Sequence, residues 1–338
     1  KRLSGCPMQT RLCRNSSGVA MVAVLLMSAL LISLYLRFMG NAGLLARIDA
    51  RQDAVMQMRL GARGALDYAL GLLAQDRGIG DSYAEDWKAM TEQTFSQPLM
   101  LGGASCAVRI EDESGKMLVN KADEGALTAL FEFYDLGIIA SFTIVDEEMK
   151  TGAATRLSQR ILDYIDADLT PRSLGAEESA YLEAGLLPPR NGKMTDIREL
   201  LNIPGITRDL MVASGTRPGL EDLLTVHGDG RVNLNTAPEG VIRAIPGLPP
   251  TYSRERVEEY FTQLLAARPF MELAGFTNFI VKFDWKIQKP YTNRFISVTS
   301  WFRVTALAQV GESVRSVDAL IFREIDGQCR ILRLIEVP

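Results

Sequence analysis

Eighteen consecutive residues from Val19 to Leu36 carry no charge, and this run constrains the chain more than any other stretch. As an α-helix it spans about 27 Å, close to the thickness of a bilayer core. Lys1, Arg2, Arg11 and Arg14 precede it with no acid among them. That arrangement holds the N-terminal end in the cytoplasm and sends the remainder across. A secretory signal would follow the run with an Ala-x-Ala-type cleavage site and a break. Here Arg37-Phe-Met-Gly-Asn-Ala-Gly43 continues the helical pattern instead. The run therefore reads as a retained single-pass anchor.

The pattern beyond it is amphipathic from Ile48 to Leu73. Val55, Met58, Ala62, Leu66, Ala69 and Leu73 recur at spacings of three and four, which is one stripe of a helix. Gly40 and Gly43 lower intrinsic helicity, so bending or melting is expected near Gly40, and Gly78 suits the helix end. Ser105–Ile110 and Lys116–Val119 flank Asp112-Glu-Ser-Gly115 and read as a β-hairpin. A long, mostly helical stretch punctuated by Gly and Pro follows. Strand signals return in Phe295–Thr305, Val314–Phe322 and Cys329–Val337, which are rich in β-branched and aromatic residues. Strands on both sides of a helical insert imply an α+β sheet domain split in sequence by an α-domain.

Composition fits an anchored globular protein of 338 residues, 47% apolar and 23% charged. The formal net charge is −4, and four of the positive charges precede Gly18, which leaves the remainder at −8. Such an acidic balance argues against nucleic acid as the main partner. Cys6 and Cys13 fall before the anchor; Cys106 and Cys329 remain, each in strand-like sequence. In an oxidising compartment these two either pair or stay as separate buried thiols.

Two segments of the helical stretch are alike: Asp196-Ile-Arg-Glu-Leu-Leu-Asn-Ile-Pro-Gly-Ile206 and Thr236-Ala-Pro-Glu-Gly-Val-Ile-Arg-Ala-Ile-Pro-Gly-Leu248. Asp196 with Glu199 and Thr236 with Glu239 have capping-box spacing, and both segments resemble helix-hairpin-helix units. A DNA-binding hairpin offers glycine N–H groups and a helix N-terminus to phosphate. Pro249-Pro250 removes such donors in the second segment, and Asp209 places a negative charge after the first. The hairpins read as a packing device.

Asp163, Asp166 and Asp168 cluster at a helix end, followed by Pro171 and then Glu177-Glu178. Carboxylates two residues apart in a loop, with more acids close behind, suit a hard cation with oxygen ligands, although the spacing is not that of an EF-hand. The alternative for the same residues is helix capping and solvated charge. His227, the only histidine, sits in the turn-like Thr225-Val-His-Gly-Asp-Gly230, and no spacing points to a nucleophile for it. There is no Gly-rich phosphate loop and no paired-His motif. The chain reads as a non-enzyme.

Gly18, directly before the apolar run with basic residues on its other side, resembles the type IV prepilin leader. The resemblance implies cleavage between Gly18 and Val19 by a prepilin peptidase, methylation, and Val19 as the mature N-terminus of an assembly helix. Most members carry Glu at mature position five, where it neutralises a neighbour's buried terminal amine. Ala23 stands there in this chain, which implies a special place such as the end of a filament.

With Asp112-Glu-Ser-Gly-Lys116, Ile161-Leu-Asp-Tyr-Ile-Asp-Ala-Asp168, Gly175-Ala-Glu-Glu-Ser-Ala-Tyr181, Glu199-Leu200 and Val232-Asn-Leu-Asn-Thr-Ala237 in the same order, the chain resembles the K-type minor pseudopilins of type II secretion over nearly its whole length. The resemblance implies a pilin-like α+β fold: a long N-terminal helix plus an antiparallel sheet, with a large inserted all-α domain. Its parts would be a leader (1–18), a transmembrane and stem helix (19–77), the first part of the sheet domain (78–120), the α-domain (121–290) and the closing strands (291–338). It further implies calcium on the acidic cluster, a single-pass position in the inner membrane with a periplasmic body, and a place at the pseudopilus tip. The partners would be I- and J-type minor pseudopilins and other pseudopilins. A tip minor pilin of a type IV pilus and a membrane-anchored helix-hairpin-helix DNA receptor are the competing readings.

Overall fold

The computed structural model describes residues 16–76, 78–136, 152–287 and 289–337, and the chain divides into two compact units, Lys1–Gln57 and Met58–Pro338. Most of the expected leader, with Cys6 and Cys13, and the expected stem end at Arg77 lie outside the described residues. The N-terminal unit is described from Ser16, where helix α1 (Ser16–Gln75) begins. Its first part is exposed, with a mean hydropathy of 2.6 over its most apolar window, long and apolar enough to cross a membrane. The expected break near Gly40 does not occur: α1 runs unbroken through Gly40 and Gly43. Each glycine costs about 1 kcal/mol of helicity, and the strong helix formers Leu44, Leu45 and Ala46 beside them offset it.

In the second unit the expected stripe is the buried face of α1, with Met58, Ala62, Leu66, Ala69 and Leu73 all nearly inaccessible. The helix lies close on a sheet. A Cβ on Gly61 would come within 2.8 Å of Cys106 Sγ and 2.9 Å of the Leu101 carbonyl oxygen, so only glycine allows this approach. Helix α2 (Asp86–Ser96) precedes strands β1 (Leu99–Leu101), β2 (Ala104–Asp112) and the two-residue β3 (Met117–Leu118). Then come α3 (Glu124–Phe133), α4 (Ala153–Ile165), α5 (Glu178–Glu183), α6 (Arg208–Met211) and α7 (Leu220–Leu223). The short strands β4 (Leu224–Thr225) and β5 (Val232–Asn233) are followed by α8 (Glu239–Ala244), α9 (Arg254–Ala266), α10 (Leu273–Asp284) and α11 (Lys289–Thr292). The chain closes with β6 (Phe295–Ile296), β7 (Trp301–Val310), β8 (Ser313–Arg323) and β9 (Cys329–Val337).

The main sheet is antiparallel with order β1-β2-β7-β8-β9. Its strands come from two distant stretches, and the helical body is strung between β2 and β7. Alternation puts Cys106, Val108, Ile110, Phe302, Val304, Ala306 and Ala308 on the buried face. β1 covers β2 only from Ala104 to Cys106. Beyond it, the N–H groups of Val108 and Ile110 donate to Thr94 Oγ1 at 3.0 Å and Thr91 Oγ1 at 3.2 Å, so α2 closes that edge. At the opposite edge no strand lies beside β9 among the described residues, and Ile331, Leu332, Leu334 and Val337 are exposed. The helical body has its own core, in which Leu127, Leu157, Ile161, Leu200, Ile242 and Tyr260 are buried.

Polar side chains join body to sheet. Asp112, at the end of β2, accepts from Ser114 N at 2.7 Å, Asn233 Nδ2 at 2.8 Å and Thr236 Oγ1 at 2.6 Å. Asn235 donates to the carbonyls of Phe270 (2.9 Å) and Asp81 (3.3 Å) and accepts from Phe270 N at 2.7 Å. Asp81 also accepts from Thr299 N at 2.6 Å and pairs with Arg323 of β8. Burial pushes the Asp112 carboxyl up from its ordinary value, against the pull of its donors.

Two expectations are corrected here and one open alternative is decided. Asp112–Gly115 is not a hairpin turn: the Asp112 side chain caps a 3₁₀ turn at Glu113–Gly115, and Met117–Leu118 pairs in parallel with Leu224–Thr225. Thr236 caps no helix, because its hydroxyl is spent on Asp112, and α8 starts after Pro238 without a side-chain cap. Cys106 and Cys329 are both free. They lie on β2 and β9, which β7 and β8 separate, and strands about 4.8 Å apart put them well beyond disulfide reach.

The Asp196–Glu199 capping box does form, around a 3₁₀ turn at Ile197–Asn202. Burial pushes the Glu199 carboxyl up, but Thr195, through its N–H and hydroxyl, with Arg190 and the Asp196 N–H, outweighs it and holds the group at about 2. The stability this contributes is complete above pH about 4.5, the group's ordinary value, and is lost as pH falls toward 2. Acid unfolding of Glu199→Gln should lack that part of the pH dependence, read by circular dichroism between pH 5 and pH 2 on the order of half-unit steps. Asn235→Ala, which strands the Phe270 N–H and carbonyl while Asn233 still serves the Asp81 carbonyl, should cost about 3 kcal/mol in urea denaturation.

Candidate cation site

The acidic cluster is built by one helix end and the loop that returns to it. α4 ends with Asp166 as its C-cap residue, and α5 starts after Glu177. Asp163, on the last turn of α4, is fully buried. Its Oδ2 accepts from the backbone N–H of Arg172 at 3.2 Å and of Ala176 at 2.9 Å, so the loop folds back over it. A Cβ on Gly175 would lie 1.8 Å from that oxygen, which reserves the position for glycine. Gln159, one turn earlier on α4, holds the same loop by accepting from Leu174 N at 2.7 Å.

Arg172 stands inside the cluster. Its Nη1 donates to Asp163 Oδ1 and, at 2.6 Å, to Asp166 Oδ2. Asp166, Asp168 and Glu177 each offer a carboxylate oxygen within 4.8 Å of the others. Glu177 is only 7% exposed, yet neither of its oxygens has a hydrogen-bond donor, and the buried Asp166 Oδ1 has none either. Burial pushes the Glu177 carboxyl up, and the charges of Asp163, Asp166 and Asp168 push the same way. Buried carboxylate oxygens without donors are costly, and three carboxylates converging on one point form the oxygen-rich set a hard divalent cation takes. The residues present fit calcium.

Of the five expected ligands, the structure gathers Asp166, Asp168 and Glu177. Asp163 is adjacent, but its oxygens are engaged by the loop, and Glu178 is exposed outside the group. Asn191 is a neighbour that sequence spacing does not reveal. Its Nδ2 reaches the Asp168 carbonyl at 3.4 Å, and its Oδ1 is buried without a donor.

A second acidic group, Asp76, Asp81 and Glu85, is equally tight. Its oxygens are already served: Arg323 binds Asp76 and Asp81, and Trp87 Nε1 donates to Glu85 at 2.7 Å. His227 stacks on Trp301 with ring centroids 5.9 Å apart, and burial lowers its pKa. Among the described residues no side chain hydrogen-bonds its imidazole. The Pro-Gly turns pack internally, Pro204 accepting from Arg160 Nη1 at 2.7 Å and Gly247 lying against the Tyr291 ring. Gly18, Val19 and Ala23 lie on the exposed first turns of α1.

Residues 144–213, which hold the acidic cluster and the capping box, match the family model described as type II secretion system (T2SS), protein K. The fold matches a chain in the crystal structure of the GspK-GspI-GspJ complex from the enterotoxigenic Escherichia coli type 2 secretion system. That match has a TM-score of 0.61 and 16% identity, over 86% of this chain and 99% of that one. No curated protein matches. The helical body thus matches the type II secretion protein K model over residues 144–213, and the chain as a whole shares its fold with a chain of that complex.

Proposed function

We propose that the chain caps the tip of the type II secretion pseudopilus, assembled with I- and J-type minor pseudopilins, its anchor waiting in the inner membrane and its body in the periplasm. The observation that carries this reading is where the helical body joins the sheet. Gly61 of α1 lies against Cys106 near the start of β2, whereas the end of α1 lies near the other end of the strands, where Arg323 binds Asp76. β2 leaves for the body at Asp112, and the chain returns into β7 beside it at that same end, where Asp112 pairs with Phe302. The bulk therefore sits at the far end of α1 from Met58, where it blocks a further subunit. Ala23 supports the same place, since a terminal subunit has no neighbour's amine to neutralise.

Immunogold labelling of pseudopili from cells expressing the full chain should mark one filament end and co-purify the I- and J-type proteins. Label along the shaft would remove the tip reading, and co-purification with type IV pilins instead would move the chain to that system. Gly18→Leu should leave the N-terminus unprocessed and abolish assembly, read by N-terminal sequencing.

The same reading includes calcium on Asp166, Asp168 and Glu177. The ion would supply the positive charge that these oxygens lack and tie α4 to α5. Calcium at a hundred times its Kd should stabilise the full chain by about 2.7 kcal/mol. Chelation, Glu177→Gln or Gly175→Ala should remove that gain in thermal unfolding.

A further inference from the structure

We propose that Arg172 is a built-in positioning cation of the acidic site: it stays bound when a divalent ion enters and aims the free oxygen of Asp166 at that ion. This rests on the calcium reading above. The division of oxygens supports it. Arg172 Nη1 holds Oδ2 of Asp166 and Oδ1 of Asp163, whereas the oxygens left without donors are Asp166 Oδ1 and both of Glu177. The guanidinium thus pins the Asp166 carboxylate by one oxygen and presents the other.

Asp163 completes the brace. Its two oxygens take three donors, two of them backbone N–H groups of the loop that delivers Glu177. Ligating a cation through Asp163 would break the loop that builds the site, so Asp163 acts behind the ligands. Three carboxylates already converge with Arg172 in place, so an ion has a seat without evicting the guanidinium. Charge agrees: four carboxylates against one guanidinium leave an excess of three negative charges, so the site still attracts a divalent ion with Arg172 in place. Groups behind a ligand typically change metal affinity by about tenfold or more when altered.

The test is calorimetric titration of the full chain in detergent with calcium chloride alone. Wild type should bind calcium. Arg172→Lys keeps the charge but loses the rigid guanidinium that serves two carboxylates at once, and should weaken binding about tenfold, with unfolding in chelator unchanged. Glu178→Gln, outside the group, should bind as wild type. Equal or tighter binding by Arg172→Lys would make Arg172 a bystander or a competitor and overturn the proposal while leaving the calcium site standing. No binding by wild type would remove the calcium reading itself. If Arg172→Lys does not fold, a structure of calcium-loaded wild type decides. Arg172 still bridging Asp163 and Asp166 supports the brace, and a guanidinium released to solvent overturns it.

Discussion

The Asp112 carboxylate, buried at the end of β2 with donors but no ion pair among the described residues, is the constraint on which the rest of the second unit depends. A carboxyl without a cation is tolerated in the interior only when its oxygens are met by hydrogen-bond partners. Asn233 and Thr236 therefore have to arrive from the helical body, more than a hundred residues later in the chain. Their placement fixes Asn235, which holds the Phe270 backbone, and brings in Asp81 and Thr299. Apolar cores on both sides supply most of the driving force, but they are not directional. The polar seam sets the register of body against sheet.

The two acidic groups show opposite resolutions of one problem. At Asp76, Asp81 and Glu85 the chain supplies an arginine and a tryptophan donor, and the cluster becomes structural glue. At Asp166, Asp168 and Glu177 it supplies a single guanidinium to one side and leaves the other oxygens bare. The same residue types thus read as scaffold in one place and as a receptive site in the other. The difference lies in donor count, not in the number of acids.

Much of this was legible along the chain where the cause is local. The α1 stripe, the closing strands and the Asp196–Glu199 cap follow from periodicity and from interactions within a few residues. What failed depended on distant partners. Asp112–Gly115 has turn composition, but its fate was decided by Asn233 and Thr236. Thr236 had capping spacing, but Asp112 claimed its hydroxyl. Arg172 and Asn191 gave no signal, because an isolated arginine after a proline gains meaning only once the loop folds back onto α4. Gly175 sits within a recognisable motif, yet its necessity comes from an oxygen twelve residues away.

The two edges of the sheet are unlike. Threonines of α2 saturate the outer side of β2 where β1 stops, while β9 leaves a nine-residue row of backbone groups and an apolar flank without a neighbouring strand among the described residues. Hydrogen-bonded growth of a sheet needs such a bare row. The sheet is therefore lopsided in the sense of a plug: the α2 side ends in the three residues of β1, whereas β9 offers nine, so strand addition by a neighbour finds its long seat on one side.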